Sequence, residues 1–140
     1  MSLNPAYPPV RRTPENAPML DAWQQRGEIL LQRCDSCGAH LFYPRAVCPS
    51  CWAETTGWVP ACGTGRIVSF SVVHKGLPDV FMAEAPILLA EIELAEGVLM
   101  IARVLCADPG RVTSGMAVAA LPLAEARAFP LPTFRLEGAG

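Results

Sequence analysis

The chain has 140 residues, enough for one domain of ordinary size or two very small ones and too few for a large two-domain enzyme. Its net charge of -2 and pI near 5.6 provide no general cationic field for a phosphate backbone, which disfavours bulk nucleic-acid binding. Hydrophobic residues make up 51% and charged residues only 17%, against roughly 25% charged in an average soluble chain, so there is apolar material for a core and for a partner surface.

The 14 prolines are about twice the share expected from ~5% average usage, and with 11 glycines they argue for short strands and turns rather than long helices. The first twelve residues lack the apolar segment of a secretory signal, and the most apolar stretch, 85–107, is interrupted by Glu91, Glu93, Glu96 and Arg103. A cytoplasmic chain is therefore expected. In that reducing compartment six cysteines read first as metal ligands rather than as a disulfide framework.

Residues 1–17, with Pro5, Pro8, Pro9 and Pro14, predict an extended arm that could lie on a partner. Over 18–26 the prolines stop, Met19, Leu20 and Trp23 fall on one helical stripe, and Gly27 supplies a C-terminal stop, which predicts one short helix. A strand over 28–33 leads into a compact cysteine unit at 34–51, and a short β segment over 55–60 leaves it. Segments 64–75, 86–94, 98–105, 116–121 and 133–136 then read as about five strands with short turns, the pattern of a small barrel. The expected division is arm and helix at 1–27, ribbon at 28–60 and barrel at 61–140.

One register can be derived. A three-residue loop Ala95-Glu96-Gly97 places glycine in the left-handed position that closes such loops. Leu94 then opposes Val98, Ile92 Met100, Ala90 Ala102 and Leu88 Val104, an apolar face, while Glu91, Glu93 and Arg103 fall on the other. A two-residue loop would bring Arg103 onto the apolar face without a partner.

Cys34-Asp35-Ser36-Cys37 and Cys48-Pro49-Ser50-Cys51 are two Cys-x2-Cys units separated by ten residues. Each pair fits a tight turn whose backbone N–H groups point at the thiolates, and two such turns complete a tetrahedron around one ion. Four thiolates satisfy zinc and leave no open position, so a structural Zn2+ that stands in for a core is expected. Rubredoxin-type iron shares the ligand set but has no visible redox partner site, and two disulfides are the remaining alternative. Cys62 and Cys106 read as small core residues. His40 could replace a thiolate, although four cysteines suffice, and His74 reads as a solvated strand-end residue. No nucleophile motif, phosphate loop or dinucleotide fingerprint is present, and Glu91 and Glu93 read as a solvated face, so the chain is not expected to be an enzyme on its own.

The ordered string GEILLQRC, Cys37-Gly38, Tyr43-Pro44-Arg45, Cys48-Pro49, Gly65, Val72-Val73-His74, Ala85-Pro86, Glu91-Ile92-Glu93-Leu94, Gly97, Gly115-Met116 and Leu131-Pro132-Thr133-Phe134-Arg135 resembles the acyl-CoA-associated zinc-ribbon plus OB-fold proteins catalogued as domain of unknown function 35. The likeness spans roughly residues 18–136. It implies a mainly β fold with a short N-terminal helix, a rubredoxin-like ribbon and a C-terminal five-stranded OB barrel. It also implies a non-catalytic accessory or scaffold subunit of a thiolase-fold or hydratase enzyme, acting in acyl transfer or retro-aldol cleavage of lipid-type acyl-CoA substrates, in a hetero-oligomer that helps enclose CoA or acyl-CoA. Segments 76–85 and 121–130 are individual in composition and carry no transferred contact.

For a CoA phosphate the candidates are Arg66, Phe70 and His74, expected to alternate onto one face of the first barrel strand, with Lys75 at its rim. The alternative function is single-stranded nucleic-acid binding by the OB barrel. Arg66, Lys75, Arg103 and Arg111 are scattered, however, with Asp79, Glu84, Glu91 and Glu93 between them.

Overall fold

The computed structural model describes residues 3–54 and 57–137. The expected β segment over 55–60 begins on two residues outside that range, and its described part is a strand at Gly57–Pro60. Helix α1 runs Ala17–Arg26, and Gly27 ends it in a left-handed conformation, with the Gly27 N–H donating to the Trp23 carbonyl. Strands β1 (Leu30–Arg33), β2 (His40–Leu41) and β3 (Gly57–Pro60) form an antiparallel ribbon in the order β2-β1-β3.

The second half is a closed barrel. Its strands are β4 (Thr64–Val73), β5 (Ile87–Leu94), β6 (Leu99–Leu105), β7 (Ala117–Ala120) and β8 (Thr133–Leu136), in the order β4-β5-β6-β8-β7. Two four-residue helices, α2 (Asp79–Met82) and α3 (Leu123–Ala126), fill connections in which the sequence pattern shows no periodicity. The fold class is thus mainly β with an N-terminal helix, a ribbon and a five-stranded OB barrel, as expected. No helix among the described residues is long and apolar enough to cross a membrane.

The β5–β6 hairpin has the derived register: Leu88 opposes Val104, Ala90 Ala102 and Ile92 Met100, with all six buried. Gly97, at φ +87, closes it by donating its N–H to the Leu94 carbonyl at 2.8 Å. Arg103 does fall on the outer side, but it finds a partner there: its Nη1 lies 2.6 Å from Glu84 Oε1, and its guanidinium sits over the Phe129 ring.

One apolar core joins all the parts. Trp23 from α1 and Ile29 and Leu31 from the ribbon side pack with Ile67, Leu88, Ile92, Val104, Val118 and Phe134 of the barrel. Trp23 Nε1 donates to the Phe129 carbonyl at 2.9 Å, and Gln24 Nε2 donates to that of Pro130. The helix is therefore a lid on the barrel rather than part of a free arm.

The proline-rich arm also folds back. Tyr7 stacks on Phe81 with ring centroids 5.4 Å apart, and its hydroxyl donates to the Glu84 carboxylate at 2.6 Å. Arg12 pairs with Asp21 of α1. The arm stays largely exposed, as an extended segment outside the core should, but it is anchored to its own chain where Tyr7, an aromatic side chain among prolines, meets Phe81 and Glu84. Burial alone would raise the Glu84 carboxyl, but the Tyr7 hydroxyl and the Arg103 guanidinium outweigh it and hold it below the usual carboxylate range.

Candidate metal centre and barrel surface

The two Cys-x2-Cys segments are the same turn built twice. Cys34 N–H donates to Ala39 O and Gly38 N–H to Cys34 O, at 2.9 and 2.8 Å; Cys48 N–H donates to Ala53 O and Trp52 N–H to Cys48 O, both at 2.8 Å. The first turn ends on Gly38 at φ +77 and the second on Trp52 at φ +69, a left-handed conformation that costs a side-chain-bearing residue roughly 1–2 kcal/mol. Trp52 is 84% exposed, so burial of its indole does not offset that cost.

These turns bring Cys34, Cys37, Cys48 and Cys51 together, with all four sulfurs within 4.8 Å of one another. Sulfurs each about 2.3 Å from a central ion in a tetrahedron stand about 3.8 Å apart. The Cys34–Cys51 and Cys37–Cys48 Sγ separations are 3.5 and 3.7 Å, so the donor set fits a four-thiolate zinc site by chemistry and by size. Cys34 and Cys48 are buried, and with Leu41 they form the ribbon's own small apolar cluster.

Cys48, Cys51 and Cys34 do not ionise alike. Burial works against the Cys48 thiolate, yet the N–H groups of Cys51 and Ser50 and the neighbouring Cys37 and Cys34 thiols bring it down to about 7. The Ala53 N–H favours the Cys51 thiolate, but Cys34, burial, Cys37 and Cys48 together push that thiol up to about 12. The N–H of Cys37 chiefly lowers Cys34, against burial. At neutral pH the metal-free cluster therefore holds protons that a cation must displace, Cys51 above all. Zinc binding should release protons, and apparent affinity should rise as pH rises from 6 to 8; competition titration with a chromophoric chelator across that range measures it, and a flat profile would contradict the protonated cluster.

Gln32, on β1, is a structural residue that the pattern does not mark. It is buried, its Nε2 donates to the Arg45 carbonyl at 2.9 Å, and its Oε1 accepts the Arg45 N–H at 2.7 Å. It thereby ties the loop between the two cysteine turns to the ribbon. A glutamine at an inward strand position is the signal that could have pointed to it. His40 lies on β2 outside the sulfur cluster.

The other candidates fare differently. Cys62 is exposed rather than core, because it sits in the linker from ribbon to barrel, where its N–H donates to Glu96 Oε2 and its sulfur lies 3.2 Å from the Thr64 hydroxyl. Cys106 is half-buried against the core.

Arg66 and Phe70 do not share a face. A β-bulge between Ile67 and Ser69 inserts Val68, so Arg66 opposes Glu93 on the outer side while Phe70 opposes the buried Ala90 on the inner side. Ser114 Oγ holds the bulge by donating to the Val68 carbonyl at 2.6 Å. On the β7 side the backbone bonding of β4 ends at Ile67, with Met116 and Gly115, and beyond it β5 is the one strand among the described residues that pairs with β4, which leaves Phe70 39% exposed despite its inward direction. Arg66 Nη1 donates to the Gly115 carbonyl, and His74 and Lys75 are exposed side by side past the end of β4. An open pocket of about 880 Å³, not foreseen from sequence, has Glu84, Arg103, Cys106, Glu125, Arg135 and Glu137 among its lining. Its two arginines each have a carboxylate on the same wall, Glu84 for Arg103 and Glu125 for Arg135.

A ribbon with four clustered cysteines, joined through a common core to a closed five-stranded barrel, defines the chain as a zinc-ribbon plus OB-fold protein. Residues 25–57 match the family model of the ChsH2 rubredoxin-like zinc ribbon domain, and residues 58–121 match that of the ChsH2 C-terminal OB-fold domain. The chain belongs to this ChsH2-type family, also known as DUF35.

It is 36% identical over 90 residues to a DUF35 domain-containing scaffold protein of Methanocaldococcus jannaschii, covering 64% of this chain and 63% of that one. It is 31% identical over 121 residues to a probable enoyl-CoA hydratase alpha subunit of Thermomonospora curvata, covering 86% of this chain but only 37% of that subunit. Among solved structures, a chain of the Ltp2-ChsH2(DUF35) aldolase superposes with a TM-score of 0.74 at 30% identity, covering 93% of this chain and 98% of that one.

Proposed function

We propose that this chain is a non-catalytic accessory subunit of an acyl-CoA enzyme complex, with a thiolase-fold enzyme of acyl-transfer or retro-aldol type as its partner. The observation that carries this reading is the likeness to a chain of the Ltp2-ChsH2(DUF35) aldolase over 98% of that chain's length. Relatives called scaffold proteins and a hydratase alpha subunit point the same way. In this reading Cys34, Cys37, Cys48 and Cys51 hold one structural Zn2+, whose closed thiolate shell offers no position for substrate. The carbon–carbon bond chemistry belongs to the partner. The barrel contributes to enclosing the CoA moiety, with His74 and Lys75 as the exposed candidates for a phosphate, while Arg66 is held by the Gly115 carbonyl.

Affinity purification of the tagged chain from native, nuclease-treated lysate tests the reading. A thiolase-fold enzyme identified by mass spectrometry, with one zinc per chain, is the expected result; recovery of nucleic acid without such an enzyme overturns it in favour of oligonucleotide binding. In the purified complex, Lys75→Ala should weaken acyl-CoA binding by a few-fold, in keeping with one exposed charge contact. Undiminished affinity would remove Lys75 from the site.

A further inference from the structure

Trp52 is the one residue with a side chain at positive φ among the described residues; every other such position, including Gly38 at the equivalent place in the first cysteine turn, is glycine. The turn itself has no need of an indole. Glycine enters the left-handed region as readily as the right-handed one, whereas a Cβ there crowds the following carbonyl. Nor does the rest of the chain use the ring. It is 84% exposed, and among the described residues it makes no ring contact, no cation contact and no hydrogen bond through Nε1. Strain kept at a position where glycine would relieve it points to a use outside the fold.

The surroundings narrow what the ring can meet. From Val47 to Ala53 the only ionisable side chains are the metal-binding Cys48 and Cys51. Val47 is 44% exposed and pairs across the base of the turn with Glu54, and Pro49 within the turn is exposed. The nearest charged residues in sequence, Arg45 and Glu54, are of opposite sign. Four thiolates around one Zn2+ leave the loaded site net negative, which disfavours a phosphate backbone or an anionic lipid headgroup at this tip. A second copy of the chain offers poor seats as well. Its cleft of about 880 Å³ is walled by the ion pairs of Arg103 and Arg135, and one of about 340 Å³ is lined by Glu15, Arg45 and Glu54. An exposed, uncharged indole is matched instead by an apolar cleft on a different protein.

We infer that Trp52 is an anchor that inserts into an uncharged apolar cleft of the partner enzyme, with an oxygen there to accept its indole N–H. Tryptophan buries a large area at the cost of only two side-chain torsions, which is why it is enriched among the residues that carry binding energy at interfaces. The four-cysteine site then has a second consequence, because the turn it closes is the turn that carries the anchor. This inference rests on the accessory-subunit reading and names a residue through which the partner is held.

Trp52→Gly separates anchor from scaffold, because the two roles change in opposite directions. Its zinc affinity, measured by chelator competition, should equal or exceed that of the original chain, since glycine relieves the turn. Its affinity for the purified partner enzyme should fall roughly tenfold or more. That loss should be the same at low and high salt, because no charge has been removed. Trp52→Phe, which keeps a ring but has no N–H, should show an intermediate loss. Fluorine NMR of the fluorotryptophan-labelled chain, whose three tryptophans are told apart with the Phe variant, gives a direct readout. The Trp52 resonance should lose its solvent isotope shift in the complex, while that of buried Trp23 stays unchanged.

A complex that forms equally well with Trp52→Gly, or in which Trp52 keeps its solvent isotope shift, overturns the anchor and leaves the accessory reading standing. Weaker zinc binding by Trp52→Gly also overturns it, by showing that the ring serves the turn. A loss of partner affinity that fades at high salt, or a Trp52 resonance moved by an oligonucleotide or an anionic vesicle rather than by the enzyme, overturns it in favour of a phosphate-bearing ligand. Self-association abolished by Trp52→Gly overturns it in favour of a second copy. A lysate that yields no thiolase-fold enzyme removes the accessory reading and the anchor together.

Discussion

Removing the metal with a chelator at neutral pH is expected to unfold residues 34–54 while leaving the barrel and β1 protected from hydrogen exchange. The asymmetry follows from where apolar area is buried. The cysteine turns have only Cys34, Leu41 and Cys48 as buried apolar residues, with Ala39 and Ala53 against them. That is far too little to offset the conformational entropy of some twenty residues at about 1–2 kcal/mol each, whereas structural zinc supplies about 10 kcal/mol or more in finger peptides. β1, by contrast, is anchored from the other side, since Ile29 and Leu31 belong to the barrel core and Gln32 and Arg33 lie in register with Trp58 and Gly57 of β3.

Exchange mass spectrometry with and without chelator should therefore show full loss of protection for the Cys34, Gly38, Cys48 and Trp52 amides and retention at Leu31. Cys48→Ser should reproduce the pattern without chelator. Unchanged protection over 34–54 after verified removal of zinc would mean that hydrogen bonding and packing hold the turns by themselves. Loss that spreads through β4 to β8 would mean that ribbon and barrel fold as one cooperative unit.

What could be read from sequence was whatever local periodicity and spacing encode. The β5–β6 register followed from one glycine and an alternation of buried residues, and the cysteine turns followed from spacing and a repeated Cys-x-Ser-Cys, whose second copy carries Trp52 where the first has Gly38. The bulge at Val68 was not legible, because Arg66, Phe70 and His74 alternate cleanly on an ideal strand and only the need to pair with both β5 and β7 bends the real one.

Nor was the Tyr7–Glu84–Arg103 group legible, since its members are brought together from 77 and 19 residues apart and none has a local pattern that names its partner. The parallel β6–β8 pairing belongs to the same class. It depends on how the chain crosses the barrel end, and it joins β8 to β6 only at Arg103, Val104 and Leu105, which no hairpin rule anticipates.

Trp23→Ala is expected to lower global stability by about 3–5 kcal/mol, the cost of deleting a large, fully buried aromatic side chain. The position joins α1 to the rest of the molecule by packing into the shared core and by donating its indole N–H to the Phe129 carbonyl. Trp23→Phe separates the two contributions: it keeps an aromatic ring but leaves that carbonyl without its donor, for an expected loss of about 1–3 kcal/mol. Urea unfolding of the zinc-loaded proteins, followed by far-UV circular dichroism, measures both. The Phe129 carbonyl adjoins the ring that carries Arg103 and Tyr7, so the alanine variant should also loosen the N-terminal arm, seen as faster exchange around Tyr7. If both variants lost the same amount, the hydrogen bond rather than the packing would be what fastens the helix over the barrel. If the alanine variant lost less than about 1 kcal/mol, α1 would be an ornament on a barrel closed without it, and the shared core would not be the unit that folds.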